Sequence, residues 1–165
     1  CLQANELYTM AIAEAVATGP DPEEIRDMID RWVTERRVDP KLASAIRSSR
    51  DTKPADFLRR QGWVLIAFQN ALYQLVHAPS LEEAIVDTVM QGGDTDTNAA
   101  ICGALLGAVH GTEAIPEQWR RTLLSCRPEA GRPGVRHPRP EEFWPIDALE
   151  LAAALVGAID PQLSL

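Results

Sequence analysis

Apolar residues recur at three- and four-residue steps along most of this chain. Between Ala4 and Thr18 they are Leu7, Met10, Ala11, Ala15 and Val16, which predicts a helix ended by Gly19-Pro20. Asp21-Pro22-Glu23-Glu24 opens a second helix, with Asp21 as N-cap, Pro22 at the first helical position and acids at the positive end of the helix dipole. Ile25, Met28, Ile29, Trp32 and Val33 form its apolar face. Asp39-Pro40 repeats the signal for a short helix through Ile46. Ser48 to Pro54 is polar and reads as loop, and Gly62 breaks the chain again. Val64 to Val76 is long, alanine-containing and largely apolar, which suits a buried helix better than a strand. Ser80-Leu-Glu-Glu83 is a capping box for a helix to about Met90.

Asn98 to Val109 is rich in Ala and Leu, with Gly103 and Gly107 spaced for close approach of a second helix. Ile115-Pro116-Glu117 opens a further helix, Arg127 to Pro140 is a Pro/Gly/Arg loop, and Pro145 to Ile159 is predicted as the last helix. Trp32, Trp119 and Trp144 are expected in the core. No period-two alternation bounded by hairpin turns is present, so the expected class is all-α, with residues 1–165 in one domain.

Charge and composition narrow the chemistry. The formal net charge is -8 and the pI about 4.9, which argues against general binding to nucleic-acid backbones. No apolar run is long enough to cross a bilayer, so no membrane partner is expected. No secretory signal is visible, and the start at Cys1 instead of Met leads us to expect that the natural N-terminus is missing. Cys1, Cys102 and Cys126 follow no zinc or disulfide spacing and read as free thiols of a cytoplasmic protein.

One stretch stands apart. Gln91-Gly-Gly-Asp-Thr-Asp-Thr-Asn-Ala-Ala100 crowds hard oxygen around a glycine turn just before an apolar helix. The plain reading is a helix cap, with Asp94 or Thr95 capping and Asp96 favoured by the dipole. A calcium loop fails, because Ala99 stands where the glycine must be and Leu105 where the bidentate glutamate must be. An aspartyl phosphotransferase needs its aspartates after a buried strand in a doubly wound sheet, and no βαβ alternation exists here. The remaining reading is half of a hard-cation site. Asp94 and Asp96 lie two apart in a turn, Thr97 adds a hydroxyl, and Mg²⁺ or Mn²⁺ prefers such ligands. The glycines allow the tight backbone and leave room for a ligand.

From Gly92 to Gly111 the sequence GGDTDTNAAICGALLGAVHG resembles the signature of the ADP-ribosylglycohydrolases, all-α dinuclear metal hydrolases related to dinitrogenase reductase-activating glycohydrolase. Gly62-Trp63-Val64, Ile115-Pro116 with Trp119, and Cys1 to Tyr8 are similar to flanking segments of that family. The likeness implies the C-terminal portion of a compact multi-helix orthogonal bundle, incomplete at its N-terminal side. It implies two divalent cations, Mg²⁺ or Mn²⁺, held by Asp94, Asp96 and Thr97, with Asp94 or Asp96 also accepting the proton of the attacking water. It implies Gly92, Gly93 and Trp63 against the substrate, although Trp63 reads equally as a helix-end core aromatic. The reaction implied is hydrolysis of the glycosidic bond between ADP-ribose and an acceptor, either a protein side chain or a small molecule.

The family's remaining ligands come from a Thr-Asp-Asp cluster that this chain lacks. Arg50-Asp51-Thr52 is wrong in order and in a polar loop. An associated N-terminal segment of the same protein is therefore the expected partner, and this chain alone is expected to be inactive. A non-catalytic ADP-ribose-binding or protein-interaction module is the alternative. His77 and His110 read as helix-end residues. Arg132, Arg136 and Arg139 read as a solvated loop, although they could meet phosphates.

Overall fold

A computed structural model describes residues 1–159. The described residues are helical with no strand, in agreement with the all-α expectation. The α-helices are α1 (Leu2–Thr18), α2 (Pro22–Glu35), α3 (Pro40–Ser48), α4 (Val64–His77), α5 (Leu81–Met90), α6 (Thr95–His110), α7 (Glu117–Leu124) and α8 (Ala148–Ile159). Contacts divide the chain into two compact units, Cys1–Ile115 and Pro116–Leu165. None of the helices among the described residues is long and apolar enough to cross a membrane.

The predicted caps form. Asp21 accepts from Glu24 N–H at 2.9 Å while the Glu24 carboxylate accepts from Asp21 N–H, a full capping box. Asp39 accepts from Lys41 N–H at 2.8 Å, and Ser80 accepts from Glu83 N–H at 3.1 Å without the return bond to Glu83 that a full box requires. Gly19 ends α1 in the left-handed conformation at φ 60°. The last predicted helix differs in detail. It opens as a tight 3₁₀ turn over Pro145–Asp147, and α geometry begins only at Ala148.

In the first unit α6 is the central helix, packed against α1, α4 and α5. Its buried side chains Cys102, Leu105 and Leu106 meet a core that includes Leu7, Ala11, Ile66, Ala71, Leu72 and Ala84. Each fully buried Leu or Ile contributes roughly 1.5–3 kcal/mol. Gly103 allows the expected close approach, since a methyl there would lie 3.2 Å from Ile85 Cδ1 on α5. Tyr8 on α1 donates its hydroxyl to Ile101 O at 2.8 Å and meets the Phe68 ring of α4 edge-on at 6.2 Å. Burial of that phenol, with a smaller contribution from Cys102, pushes its pKa up to about 12.

The core holds one charge that hydrophobic patterning does not reveal. Arg26 of α2 is 0% exposed, donates to Ile46 O at 2.5 Å and pairs with Asp30 at 2.7 Å. Arg50 engages the same Asp30 at 2.7 Å and Asp27 at 2.6 Å. The three tryptophans expected in the core are only half-buried: Trp32, Trp119 and Trp144 all keep part of their surface in water. Trp144 shows why, because its indole N–H donates to Arg139 O at 2.9 Å, so its polar edge serves a loop.

The stretch between α3 and α4 is a strap, fixed at several points. Lys53 Nζ bridges both Asp87 carboxylate oxygens at 2.7 Å, and Gln69 donates to Thr52 O at 3.1 Å. Pro54 and Phe57 are buried beneath it. The strap ends at Trp63, which occupies the N-cap position of α4.

Candidate active site

The strap explains the glycine pair. Gly92 and Gly93 form the turn between α5 and α6 with φ of 78° and 73°, in the left-handed region that disfavours side chains. A methyl on Gly93 would stand 2.2 Å from the Phe57 carbonyl oxygen, and one on Gly92 would stand 3.0 Å from Leu58 Cδ2. The turn therefore sits directly on strap backbone. Gly93→Ala is expected to destabilise the first unit by more than about 2 kcal/mol, because positive φ and a backbone clash add. Chemical denaturation followed by circular dichroism measures this.

The turn delivers Asp94 to the N-cap position of α6, which starts at Thr95, three residues earlier than the apolar pattern indicates. The Asp94 side chain makes no capping hydrogen bond, so the plain capping reading does not describe it. Its Oδ2 faces the Gly62–Trp63 turn, where a methyl on Gly62 would lie 3.9 Å away. Two predicted site segments distant in sequence thus meet. Trp63 is 38% exposed, and the Arg60 guanidinium lies 4.8 Å from its ring centroid.

Asp96 and Thr97 are exposed on the first turn of α6, whereas Asp94 is half-buried. The Asp96 carboxyl is held below the usual carboxylate range, first by the Thr97 N–H, then by its own N–H and by a hydrogen bond with Asp94. Asn98, one turn along from Asp94, is 2% exposed, and its Nδ2 has no hydrogen-bond partner among the described residues. The same motif carries this residue, yet only the fold shows it buried.

The donor set is open. Asp94, Asp96 and Thr97 offer hard oxygen, which fits Mg²⁺ or Mn²⁺, but an octahedral ion needs more ligands than they supply. No group of three or more His, Cys, Asp or Glu side chains is arranged for a metal among the described residues. Arg50, Asp51 and Thr52 do not fill the gap. Arg50 is engaged by Asp27 and Asp30, and Thr52 donates back to Ser48 O at 3.1 Å. His77 lies 2.8 Å from Arg50 O and stacks on Tyr73 at 4.3 Å, while His110 ends α6 at the end opposite the motif.

An all-helical unit with a Gly-Gly-Asp-Thr-Asp-Thr turn at the mouth of its central helix defines the class, and comparison with known proteins places it. The model of the ADP-ribosylglycohydrolase family matches residues 1–159, and the chain belongs to that family. Among relatives, it is 44% identical over 43 residues to ADP-ribosylhydrolase ARH3 of Bos taurus, covering 26% of this chain and 12% of the relative. It is 33% identical over 61 residues to ADP-ribosyl-dinitrogen reductase glycohydrolase of Rhodospirillum rubrum, covering 37% and 21%. It is 29% identical over 72 residues to ADP-ribosylarginine hydrolase Tri1 of Serratia proteamaculans, covering 44% and 20%. The matched segments thus span only about a fifth or less of these relatives. No solved structure matches the chain.

Proposed function

We propose that this chain is the metal-bearing C-terminal portion of a hydrolase that cleaves the glycosidic bond between ADP-ribose and an acceptor, a protein side chain or a small molecule. The observation that carries the reading is Asp94. It occupies a cap position without capping, it is half-buried, and its Oδ2 points toward the Gly62–Trp63 turn. A carboxylate withheld from its helix is available to other chemistry.

In this reading Asp94, Asp96 and Thr97 hold two divalent cations, Mg²⁺ or Mn²⁺. When bound, the pair orients ribose hydroxyls and acidifies a water. Asp94, the more enclosed carboxylate, would accept the proton of an attacking water. The negative charge of Asp94 and Asp96 stabilises the positive character that develops at the anomeric carbon. Gly92 and Gly93, whose bare side is filled by the strap, would set the backbone of the turn against the substrate. Trp63 offers a ring face beside it.

The missing ligands come from an N-terminal segment of the same protein. The free cysteines suit a reducing cytoplasm.

A non-catalytic ADP-ribose-binding or protein-interaction module is the second reading, favoured by the exposure of Asp96 and Thr97. Thermal melts with Mg²⁺ or Mn²⁺ separate the possibilities. At a hundredfold excess over Kd, a bound ion stabilises by about 2.7 kcal/mol, which shifts the melting temperature by several degrees. We expect that shift in the assembly with the N-terminal segment, together with ADP-ribose release from a modified protein. A shift without release favours the binding module. No shift with either metal removes the metal site.

A further inference from the structure

The second unit concentrates positive charge in an acidic chain. The twenty residues from Arg120 to Arg139 hold six of the sixteen Lys and Arg residues and one of the twenty-four acids, Glu129. Arg121, Arg127, Arg132, Arg136 and Arg139 are all exposed. Glu117 reaches Arg120 at 2.5 Å and Arg121 at 3.4 Å, and an open groove of about 360 Å³ runs past them to Arg127. Arg127, Arg132, Arg136 and Arg139 have no carboxylate partner among the described residues.

The loop that bears these arginines is pinned. Arg139 N–H donates to Pro128 O at 2.8 Å and Val135 N–H to Arg132 O at 3.1 Å. Trp144 Nε1 donates to Arg139 O at 2.9 Å. Proline φ restriction adds to this at Pro128, Pro133, Pro138 and Pro140. Immediately after the loop, the turn Glu141–Phe143 holds the Phe143 side chain 68% exposed. Phe143 follows Arg139 by four residues, and a ring this exposed contributes little to packing within the unit.

We propose that this surface docks single-stranded nucleic acid, with the arginines on the phosphates and Phe143 stacked on a base. An arginine track alone fits any polyanion. The exposed ring favours a polyanion with base faces to stack over a carboxylate chain, which has none, and a run of regularly spaced phosphates suits arginines spread along a loop. The net charge of -8 excludes general binding over the whole surface. It leaves a local cationic track intact and confines contact to it. The inference is independent of the glycohydrolase reading.

Fluorescence anisotropy of a labelled twelve-nucleotide oligo(dT) with the intact chain tests it. Four phosphate contacts give a log–log salt slope of about -3, or roughly fiftyfold weaker binding at 200 mM than at 50 mM NaCl. Combined Arg132→Gln, Arg136→Gln and Arg139→Gln should reduce the slope by about 2. Phe143→Ala should weaken binding about tenfold and leave the slope unchanged. Far-UV circular dichroism should show unchanged helicity in both variants, since every altered side chain is exposed. No binding at 50 mM NaCl overturns the proposal. So does an unaltered affinity in Phe143→Ala, or displacement by polyglutamate at matched charge as readily as by unlabelled oligo(dT), which would mark an acidic protein as the partner. The wild-type salt slope stands as a test even if a variant misfolds.

Discussion

Asp94→Asn is expected to lower ADP-ribose release by the complete enzyme about 10²–10⁴-fold, the range for loss of a positioned proton acceptor, and to abolish the thermal shift with Mg²⁺ or Mn²⁺. Without metal, the melting temperature should move little. The substitution is chosen because Asn caps a helix about as well as Asp. If Asp94 served α6 as a cap, Asn would replace it and nothing functional would change. The present geometry has no such cap to lose, since the Asp94 side chain makes no capping hydrogen bond. The substitution therefore removes only charge and metal affinity. Large unfolding of the variant, read by circular dichroism, would show that the carboxylate holds the turn together, and the site assignment would fall.

Arg26→Ala should cause the largest loss of stability of any single change here. The guanidinium is fully buried, joins α2 to the end of α3 through Ile46 O, and pairs with Asp30. Removing it leaves a cavity and an unpaired Ile46 carbonyl, at a cost of about 2–5 kcal/mol, or a melting temperature lower by roughly 10 °C for a chain of this size. Arg50 still holds Asp30, which limits the damage to the carboxylate side. Arg26→Met should cost less, because an apolar chain of similar length fills the space and leaves no charge to satisfy. A thermal melt of both variants measures the difference. Equal losses would mean that the lost ion pair and hydrogen bond, not volume, set the contribution of this side chain.

Much of the helical frame was legible because it depends on local chemistry. Asp21-Pro22, Asp39-Pro40 and Ser80-Leu-Glu-Glu83 start helices through bonds made within four residues, and each starts where the sequence indicates. The start of α6 was less legible. Asp94 to Thr97 has the composition of a turn, yet the chain is already helical at Thr95. The identities of Asp94, Asp96 and Thr97 could be read from the motif, but their setting could not. That Asp94 meets the Gly62–Trp63 turn depends on the strap, whose polar sequence between α3 and α4 carries no periodicity. Arg26 was hidden for another reason: it follows Ile25 on a helix face that reads as complete without it. Its i,i+4 spacing to Asp30 was the available signal. The tryptophans misled because size suggests burial, whereas a polar ring edge draws part of the residue toward water.

The contact between Gly93 and the Phe57 carbonyl ties the site to a distant part of the chain. At this junction the α5–α6 turn rests on a stretch that has no regular structure of its own, so the posture of Asp94 depends on that stretch being seated. Cleavage near Asp56 would spare most of the helical scaffold and still disarm its business end. The most vulnerable bond for activity would then lie far in sequence from the residues that perform it.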